Sequence, residues 1–371
     1  MDDSLVRNLL GGEMTTHGHT RSQSIVLTQL EQWTRSILQA AGAGPAQASI
    51  TASCLTDAHR RGFDTHGAPL LRQYLPRLES GAIAGRTAPE VVKERAGVAL
   101  LDGKNGLGPY VAMVATNMAC DKARDTGAGV VAVRGSNHFG AASVFAERAA
   151  DRGCVSIICS NSDPGLAPLG ALAPVLGTNP IAIAGPPGED GFLPSLDMAT
   201  SQVAYGRVRA AARAGERIPQ GWAIGSDGQP TQRPETALGG SVLPLGGHKG
   251  FALAAMIDML CGCLSGAQLS PDVVWNPEDP TPQGLGHLVV AIQVAALAGQ
   301  RTYRRGLSRL VWCVHNARRA KGVAPFRLPG ERAQHTAAAG RGAVPMHTSV
   351  VAELVELGAR YGVDFPEAGR E

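Results

Sequence analysis

Arg134-Gly135-Ser136-Asn137-His138-Phe139-Gly140-Ala141-Ala142 follows directly on the apolar run Gly129 to Val133. A β-branched run that stops at small polar residues and gives way to a helix-like pattern reads as strand, turn and helix in succession. Loops at such junctions are where binding groups tend to sit. His138, between Asn137 and Phe139-Gly140, is placed to act on something in a cleft. It is equally placed to cap the following helix or to brace the turn.

Outward from that stretch the pattern repeats. Val98 to Leu101, Gly129 to Val133, Cys154 to Cys159 and Pro180 to Ala184 read as strands, with helices around 109–125 and 140–152 between the first three. This alternation specifies an α/β core. Ahead of it, Leu30, Trp33, Ile37 and Ala41 recur at helical spacing, and Thr28 with Glu31 has the spacing of a capping box. A second helix is expected from Pro45, with Ile50, Cys54, Leu55 and Ala58 on one face, and a third carries Leu71, Tyr74, Leu75 and Leu78. Between these two stands Gly62-Phe63-Asp64-Thr65-His66-Gly67, a second histidine in a turn that suits an N-cap cluster as well as a pocket. Farther on, a helix is expected through Phe251, Leu253, Met256, Ile257 and Leu260, and the Pro-rich, acidic stretch 268–286 reads as a mobile loop. His287 to Val294 reads as a strand, 304–321 as a helix, and Val350, Leu354, Leu357 and Tyr361 as one face of a terminal helix.

The bulk numbers exclude several classes. Lys and Arg number 34 against 31 Asp and Glu, a net charge of +3, and the basic residues form no block that would track a nucleic acid. No apolar stretch reaches membrane-spanning length, and the N-terminus lacks a charged-then-apolar signal pattern. Seven cysteines, an odd number lying mostly within apolar runs, fit buried thiols in a reducing compartment, so a cytoplasmic location is expected. Cys261-Gly262-Cys263 has no second pair to complete a metal site, and no metal is expected.

The usual nucleotide signatures are missing. Gly106-Leu107-Gly108 is followed by Pro109 and Tyr110, which spoil a dinucleotide fingerprint, and Gly246-Gly247-His248-Lys249-Gly250 is not a phosphate loop of the GxxxxGK[ST] type. Any dinucleotide is therefore bound outside a standard Rossmann fingerprint. Three stretches nonetheless concentrate small polar residues, an acid or a lysine in loops bounded by glycine or proline. They are Cys159-Ser160-Asn161-Ser162 with Leu176-Gly177-Thr178-Asn179-Pro180 behind it, Ser195-Leu196-Asp197-Met198-Ala199-Thr200-Ser201, and Leu243-Pro244-Leu245-Gly246-Gly247-His248-Lys249-Gly250.

Taken together with the two histidine segments, these six motifs, in order and at their spacing, resemble the type 2 malate/L-lactate dehydrogenase family, most firmly over residues 25–267. The resemblance implies an α/β fold of non-Rossmann kind, with a mixed sheet core, helical N- and C-terminal portions, and a homodimer binding NAD or NADP. It implies a polar leader over 1–23, a helical N-terminal part of the substrate domain over 24–90, a central cofactor-binding region over 91–300 and a helical part over 301–371. His66 and His138 would be catalytic, and Thr65, Leu70, Asn137 and Thr178 would line the substrate pocket. Ser162, Leu196, Asp197, Met198, Ala199, His248, Lys249, Gly330, Glu331 and Arg332 would contact the cofactor.

The residue types suit the chemistry. Hydride transfer to a C=O or C=N beside a carboxylate also needs a proton for the heteroatom, and histidine, with an ordinary pKa of about 6.5, supplies one near neutrality. Of the two, His66 is the expected donor and His138 its orienting partner. Many relatives carry an arginine four residues after the first histidine, where it can grip the substrate carboxylate; here that residue is Leu70. Arg72 lies two positions on, about 200° around a helix, and faces elsewhere. The expected substrate is thus a larger or more apolar 2-oxo acid than oxaloacetate or pyruvate. A 2-imino acid is the first alternative, and a degenerate metabolite-binding homologue the second.

Overall fold

The alternating apolar runs assemble into one large sheet in the computed structural model, which describes residues 22–276 and 278–367. The chain begins with β1 (Ser22–Val26), α1 (Leu27–Ala40), α2 (Pro45–Arg60) and α3 (Leu71–Glu79). The core region follows as β2 (Glu90–Arg95), β3 (Val98–Asp102), α4 (Gly108–Thr126), β4 (Ala128–Ser136), α5 (Ala142–Asp151), β5 (Cys154–Ser160), β6 (Ile181–Ala184) and β7 (Ser195–Met198). A smaller unit holds α6 (Tyr205–Ala214), β8 (Ala223–Ile224), β9 (Pro230–Thr231), α7 (Pro234–Leu238) and β10 (Ser241–Val242). Then come α8 (His248–Asp258), β11 (Leu285–Gln293), α9 (Gln300–His315), α10 (Glu331–Ala339), β12 (Ala343–His347) and α11 (Thr348–Arg360).

The large sheet is mixed, in the order β2-β3-β4-β11-β5-β6-β7, with β3 and β4 its parallel pair. Strand β11 inserts antiparallel between β4 and β5, although it begins more than 120 residues beyond the end of β5 in sequence. One face is covered by α4 and α5, whose alanines let the helices lie close, around the fully buried Phe145. On the other face Ile257 and Cys261 pack against Ala132, Cys159 and Leu288. Burial of each such large side chain contributes about 1.5–3 kcal/mol before the cost of ordering the chain.

The first and last described elements form one apolar unit. Strands β1 and β12 pair antiparallel, Ser22 opposite His347 and Val26 opposite Ala343. Their inner side chains, Ile25, Val344 and Met346, join Leu30, Trp33 and Ile37 of α1, Leu71, Tyr74 and Leu75 of α3, and Val351, Leu354 and Leu357 of α11. Trp33 Nε1 donates to the carbonyl of Val363 at 3.2 Å, tying down the C-terminal stretch.

Several sequence expectations are corrected here. Helix α1 starts at Leu27 after the extended Val26, with no side-chain cap, so the Thr28–Glu31 pair is inside the helix instead of opening it. The helix expected over 304–321 begins earlier, behind Gly299 (φ 80°), and ends at His315. The stretch from Ser195 to Met198, read as loop, is the edge strand of the large sheet. Stretch 268–286 is held in place: the buried guanidinium of Arg77 donates to the carbonyls of Asn276 (3.0 Å), Asp279 (3.3 Å) and Thr281 (2.7 Å). No helix among the described residues is long and apolar enough to cross a membrane.

Candidate active site

The two histidine turns meet at the ends of the strands. The His66 and His138 rings are stacked, 25° from parallel, with centroids 6.2 Å apart. The His66 turn is built by His59 at the end of α2. Its Nε2 accepts the amide of Ala68 at 2.9 Å, so its Nδ1 carries the proton toward Asp64, 3.3 Å away. A Cβ on Gly67 would fall onto the His59 ring, which explains the glycine after His66. The segment forms tight turns over Asp64–His66 and Ala68–Leu70 without a side-chain cap, so the N-cap reading of Thr65-His66-Gly67 does not hold. Thr65 Oγ1 instead bonds His66 Nδ1 at 3.0 Å.

His138 is fixed from three sides. Its amide donates to Gln283 Oε1 at 2.9 Å, its Nδ1 meets the Tyr74 hydroxyl at 2.9 Å, and Trp275 stands edge-on with ring centroids 4.9 Å apart. The Tyr74 hydroxyl also lies 3.1 Å from the His138 carbonyl. Helix α4 begins directly against this turn, because a Cβ on Gly108 would collide with the carbonyls of Asn137 and His138. The incomplete glycine motif at 106–108 thus serves close packing. Beneath, buried His287 on β11 bridges Ser136 Oγ (2.8 Å) and Ser160 Oγ (2.9 Å), joining the ends of β4 and β5, which lead into the His138 and Ser162 loops.

Asp197 supplies the charge. Its Oδ2 accepts the Ser143 amide at 2.8 Å, at the first turn of α5, where unpaired N–H groups favour an anion. Burial raises the Asp197 carboxyl above its ordinary value, while those hydrogen bonds and His66 act in the other direction. Burial lowers His66 and the Asp197 charge opposes that. His138 is pushed down to about 3, chiefly by burial and then by His66, His287 and Arg209. One histidine therefore has a counter-charge for its protonated form, and the other is held neutral.

The cofactor candidates gather along edge strand β7. Leu196, Asp197 and Met198 lie on it and lead through Ala199 into Thr200, whose amide and hydroxyl both donate to the Thr178 carbonyl at 2.9 Å. Leu245 N donates to the Thr200 carbonyl at 3.0 Å, drawing the loop that carries His248 and Lys249 onto the same edge. Both of those side chains are exposed at the start of α8, behind Gly246 (φ 57°) and Gly247 (φ 66°). On the far side, Ser195 N donates to the Pro329 carbonyl at 3.1 Å, and this sets Gly330, Glu331 and Arg332 beside the strand. Glu331 turns inward, accepting from Leu328 N (3.0 Å) and meeting His315 Nε2 (2.6 Å), whereas Arg332 is exposed. Ser162 N donates to Asn179 Oδ1 at 3.0 Å, bringing its loop to Thr178. A helix start with free amides, two glycines and an exposed lysine fits the pyrophosphate of a dinucleotide.

Two expected pocket residues are inside the protein. The Asn137 amide is buried and donates to the carbonyls of Asn105 (3.1 Å) and Gly106 (2.8 Å), bracing that turn. Leu70 packs into the apolar core shared by α1, α3, α11 and the β1–β12 pair. Arg72 pairs with Glu353 on α11, away from the histidines. Sequence reading missed His59, Arg77, Trp275, Gln283 and His287, none of which stands in a recognisable motif. Among the described residues no group of three or more His, Cys, Asp or Glu could hold a metal ion.

Paired histidines with one half-buried carboxylate, beside a helix start and an exposed lysine, form an arrangement that suits proton and hydride transfer on a small acid. Residues 25–355 match the model of the malate/L-lactate dehydrogenase family. The chain is 38% identical over 275 residues (74% of this chain, 80% of the relative) to malate/(S)-sulfolactate dehydrogenase of Methanothermus fervidus. It is 36% identical over 320 residues (85% and 91%) to the Delta(1)-pyrroline-2-carboxylate/Delta(1)-piperideine-2-carboxylate reductase of Pseudomonas syringae. Among solved structures, sulfolactate dehydrogenase of Methanocaldococcus jannaschii superposes with a TM-score of 0.84 at 33% identity, covering 92% of this chain and 98% of that one. The chain belongs to the malate/L-lactate dehydrogenase family and is an NAD(P)-dependent oxidoreductase.

Proposed function

We propose that this chain interconverts a 2-oxo acid larger or more apolar than oxaloacetate and its 2-hydroxy acid, with His66 moving the proton. The carrying observation is the stacked His66–His138 pair, with the Asp197 charge opposing the lowering of His66. When bound, the reduced nicotinamide supplies the hydride that becomes the new C2–H bond. In that direction protonated His66 donates to the C2 oxygen, and Asp197 stabilises the imidazolium. In the other direction neutral His66 takes the hydroxyl proton. Neutral His138 orients the same oxygen: with Nδ1 engaged by the Tyr74 hydroxyl, Nε2 is the ring nitrogen left for substrate. Lys249, the first amides of α8 and the 195–199 and 330–332 stretches would hold the cofactor. Ser162 and Thr178 would flank the nicotinamide and the substrate.

The substrate reading rests on the walls. Leu70 is packed into the core and offers no cation, Arg72 and Arg77 are engaged elsewhere, and Trp275, edge-on to His138, presents aromatic surface. That flat surface also suits a cyclic C=N acid, the substrate named for the Pseudomonas relative. Initial rates with oxaloacetate, pyruvate, branched and aromatic 2-oxo acids and Δ1-piperideine-2-carboxylate, each with NADH and NADPH, separate the readings. A clear preference for oxaloacetate would contradict the first. A homodimer acting in the cytoplasm belongs to the same proposal, supported by the exposed apolar row Leu253, Met256, Met259 and Leu264 and by five buried free thiols. Light scattering at micromolar concentration would read the oligomeric state.

A further inference from the structure

We infer that Arg209 is the cation that holds the substrate's carboxylate, taking the place of any arginine on the His66 helix; this rests on the 2-oxo acid reading above. A carboxylate entering a largely buried pocket needs a charged, hydrogen-bonding partner. The other arginines framing the histidines are already engaged. Arg61 is held by Asp57 and Glu147, Arg72 by Glu353, Arg77 by three loop carbonyls and Arg134 by Asp102.

Arg209 differs in both position and company. Helix α6 begins against the His66 turn: a Cβ on Gly206 would stand 3.4 Å from Thr65 Cβ, and Thr65 bonds His66. Tyr205 and Arg209, one turn apart, share a face of that helix, and the guanidinium carbon lies 5.2 Å from the Tyr205 ring centroid. The Tyr205 hydroxyl donates to the Leu238 carbonyl at 3.0 Å, so the platform under the guanidinium is fixed. Arg209 is half-buried, and among the described residues no carboxylate pairs with it within 4.0 Å. Its charge nevertheless lowers both the His138 imidazole and the Asp163 carboxyl. A cation within reach of the catalytic pair, stacked on a fixed ring and free of an ion-pair partner, is the arrangement a bound acid completes. Asp163, whose carboxyl burial pushes up to about 6, feels that charge but forms no ion pair with it within 4.0 Å.

The test uses wild type, Arg209→Met and Arg209→Lys, each saturated with reduced cofactor and titrated calorimetrically with oxamate, an unreactive carboxylate analogue of a 2-oxo acid. Oxamate affinity should fall about 10- to 100-fold in Arg209→Met and be partly restored in Arg209→Lys, with cofactor affinity unchanged. In steady state KM for the 2-oxo acid should rise far more than kcat falls. Turnover of the corresponding neutral 2-oxo amide should be unaffected. Wild-type affinity for oxamate in a folded Arg209→Met protein overturns the inference, as does a loss confined to cofactor binding, which would assign Arg209 to the dinucleotide. If the 2-oxo acid reading itself fails, wild type shows neither oxamate binding nor turnover, and both fall together.

Discussion

Replacing Arg77 by Met should unlock one wall of the active site while leaving the sheet intact. The Arg77 side chain makes three charge-assisted bonds to the carbonyls of Asn276, Asp279 and Thr281, at 3.0, 3.3 and 2.7 Å. Hydrogen bonds to charged groups contribute about 1.5–3 kcal/mol each. The loop is largely exposed, so its carbonyls rehydrate once freed, and the lower end applies; the longest bond counts least. A loss of about 3 kcal/mol in the local closed state follows, which is roughly a hundredfold in an opening equilibrium. The loop carries Trp275, packed on His138, and Gln283, which accepts the His138 amide. Hydrogen exchange followed by mass spectrometry should therefore show amides of 278–283 and His138 exchanging about a hundredfold faster. KM should rise and kcat fall, since His138 is no longer held in one orientation. Unchanged exchange at His138 together with a lowered melting temperature would show that Arg77 is only a core residue, and would refute the reasoning.

Two further substitutions probe the charges. Asp197→Asn keeps an acceptor for the Ser143 amide but removes the charge that opposes the lowering of His66, so the His66 pKa should fall further. Reduction needs protonated His66, so the pH at which kcat/KM for reduction declines should move to lower pH, with activity near neutrality down about 10- to 100-fold; an unmoved profile would remove Asp197 from the proton's path. His287→Asn addresses acid stability. Burial pushes His287 down to about 3 from 6.5, so between those values the unfolded chain binds the extra proton, and stability is lost as pH falls through that window. Each such histidine contributes a slope of a little over 1 kcal/mol per pH unit, His138 included, while the raised Asp163 and Asp197 work in the opposite sense at acid pH. Urea titrations from pH 4 to 7 should show a shallower loss for His287→Asn, on top of about 2 kcal/mol of overall destabilisation from the lost serine bonds; an equal slope would contradict the assigned burial.

The parts of the fold legible in the sequence were those set by local periodicity. The strand and helix runs from Val98 to Ser160 stand within two or three residues of their expected places, because each run is long and its neighbours are close in the chain. What could not be read depends on distant pairing. Nothing in Ser22–Val26 indicates that it pairs with Ala343–His347, or that Leu285–Gln293 wedges between β4 and β5. Ser195–Met198 was read as loop because the run is short and contains an acid, and only its partner Ile181–Ala184 makes it a strand. At the site, His66 and His138 were visible because each stands among glycines and small polar residues. The side chains that hold them come from unremarkable surroundings: His59 and Tyr74 sit in ordinary helical faces, and Trp275 and Gln283 in a stretch whose prolines and acids suggested mobility. The buried arginine that pins that stretch lies about 200 residues away from it, and no spacing rule connects them.

The central claim is that His66 carries the proton and that His138, held neutral, orients the reacting oxygen. Single-turnover rates of His66→Asn and His138→Asn, each preloaded with reduced cofactor whose affinity is measured separately, test it most directly. His66→Asn should lose about 10²- to 10⁴-fold in the rate with cofactor affinity within about twofold of wild type, and His138→Asn should lose less and keep a pH-dependent rate. A His66→Asn enzyme within about tenfold of wild type, beside a His138→Asn enzyme that is inactive but binds cofactor normally, would reverse the two roles and contradict the account.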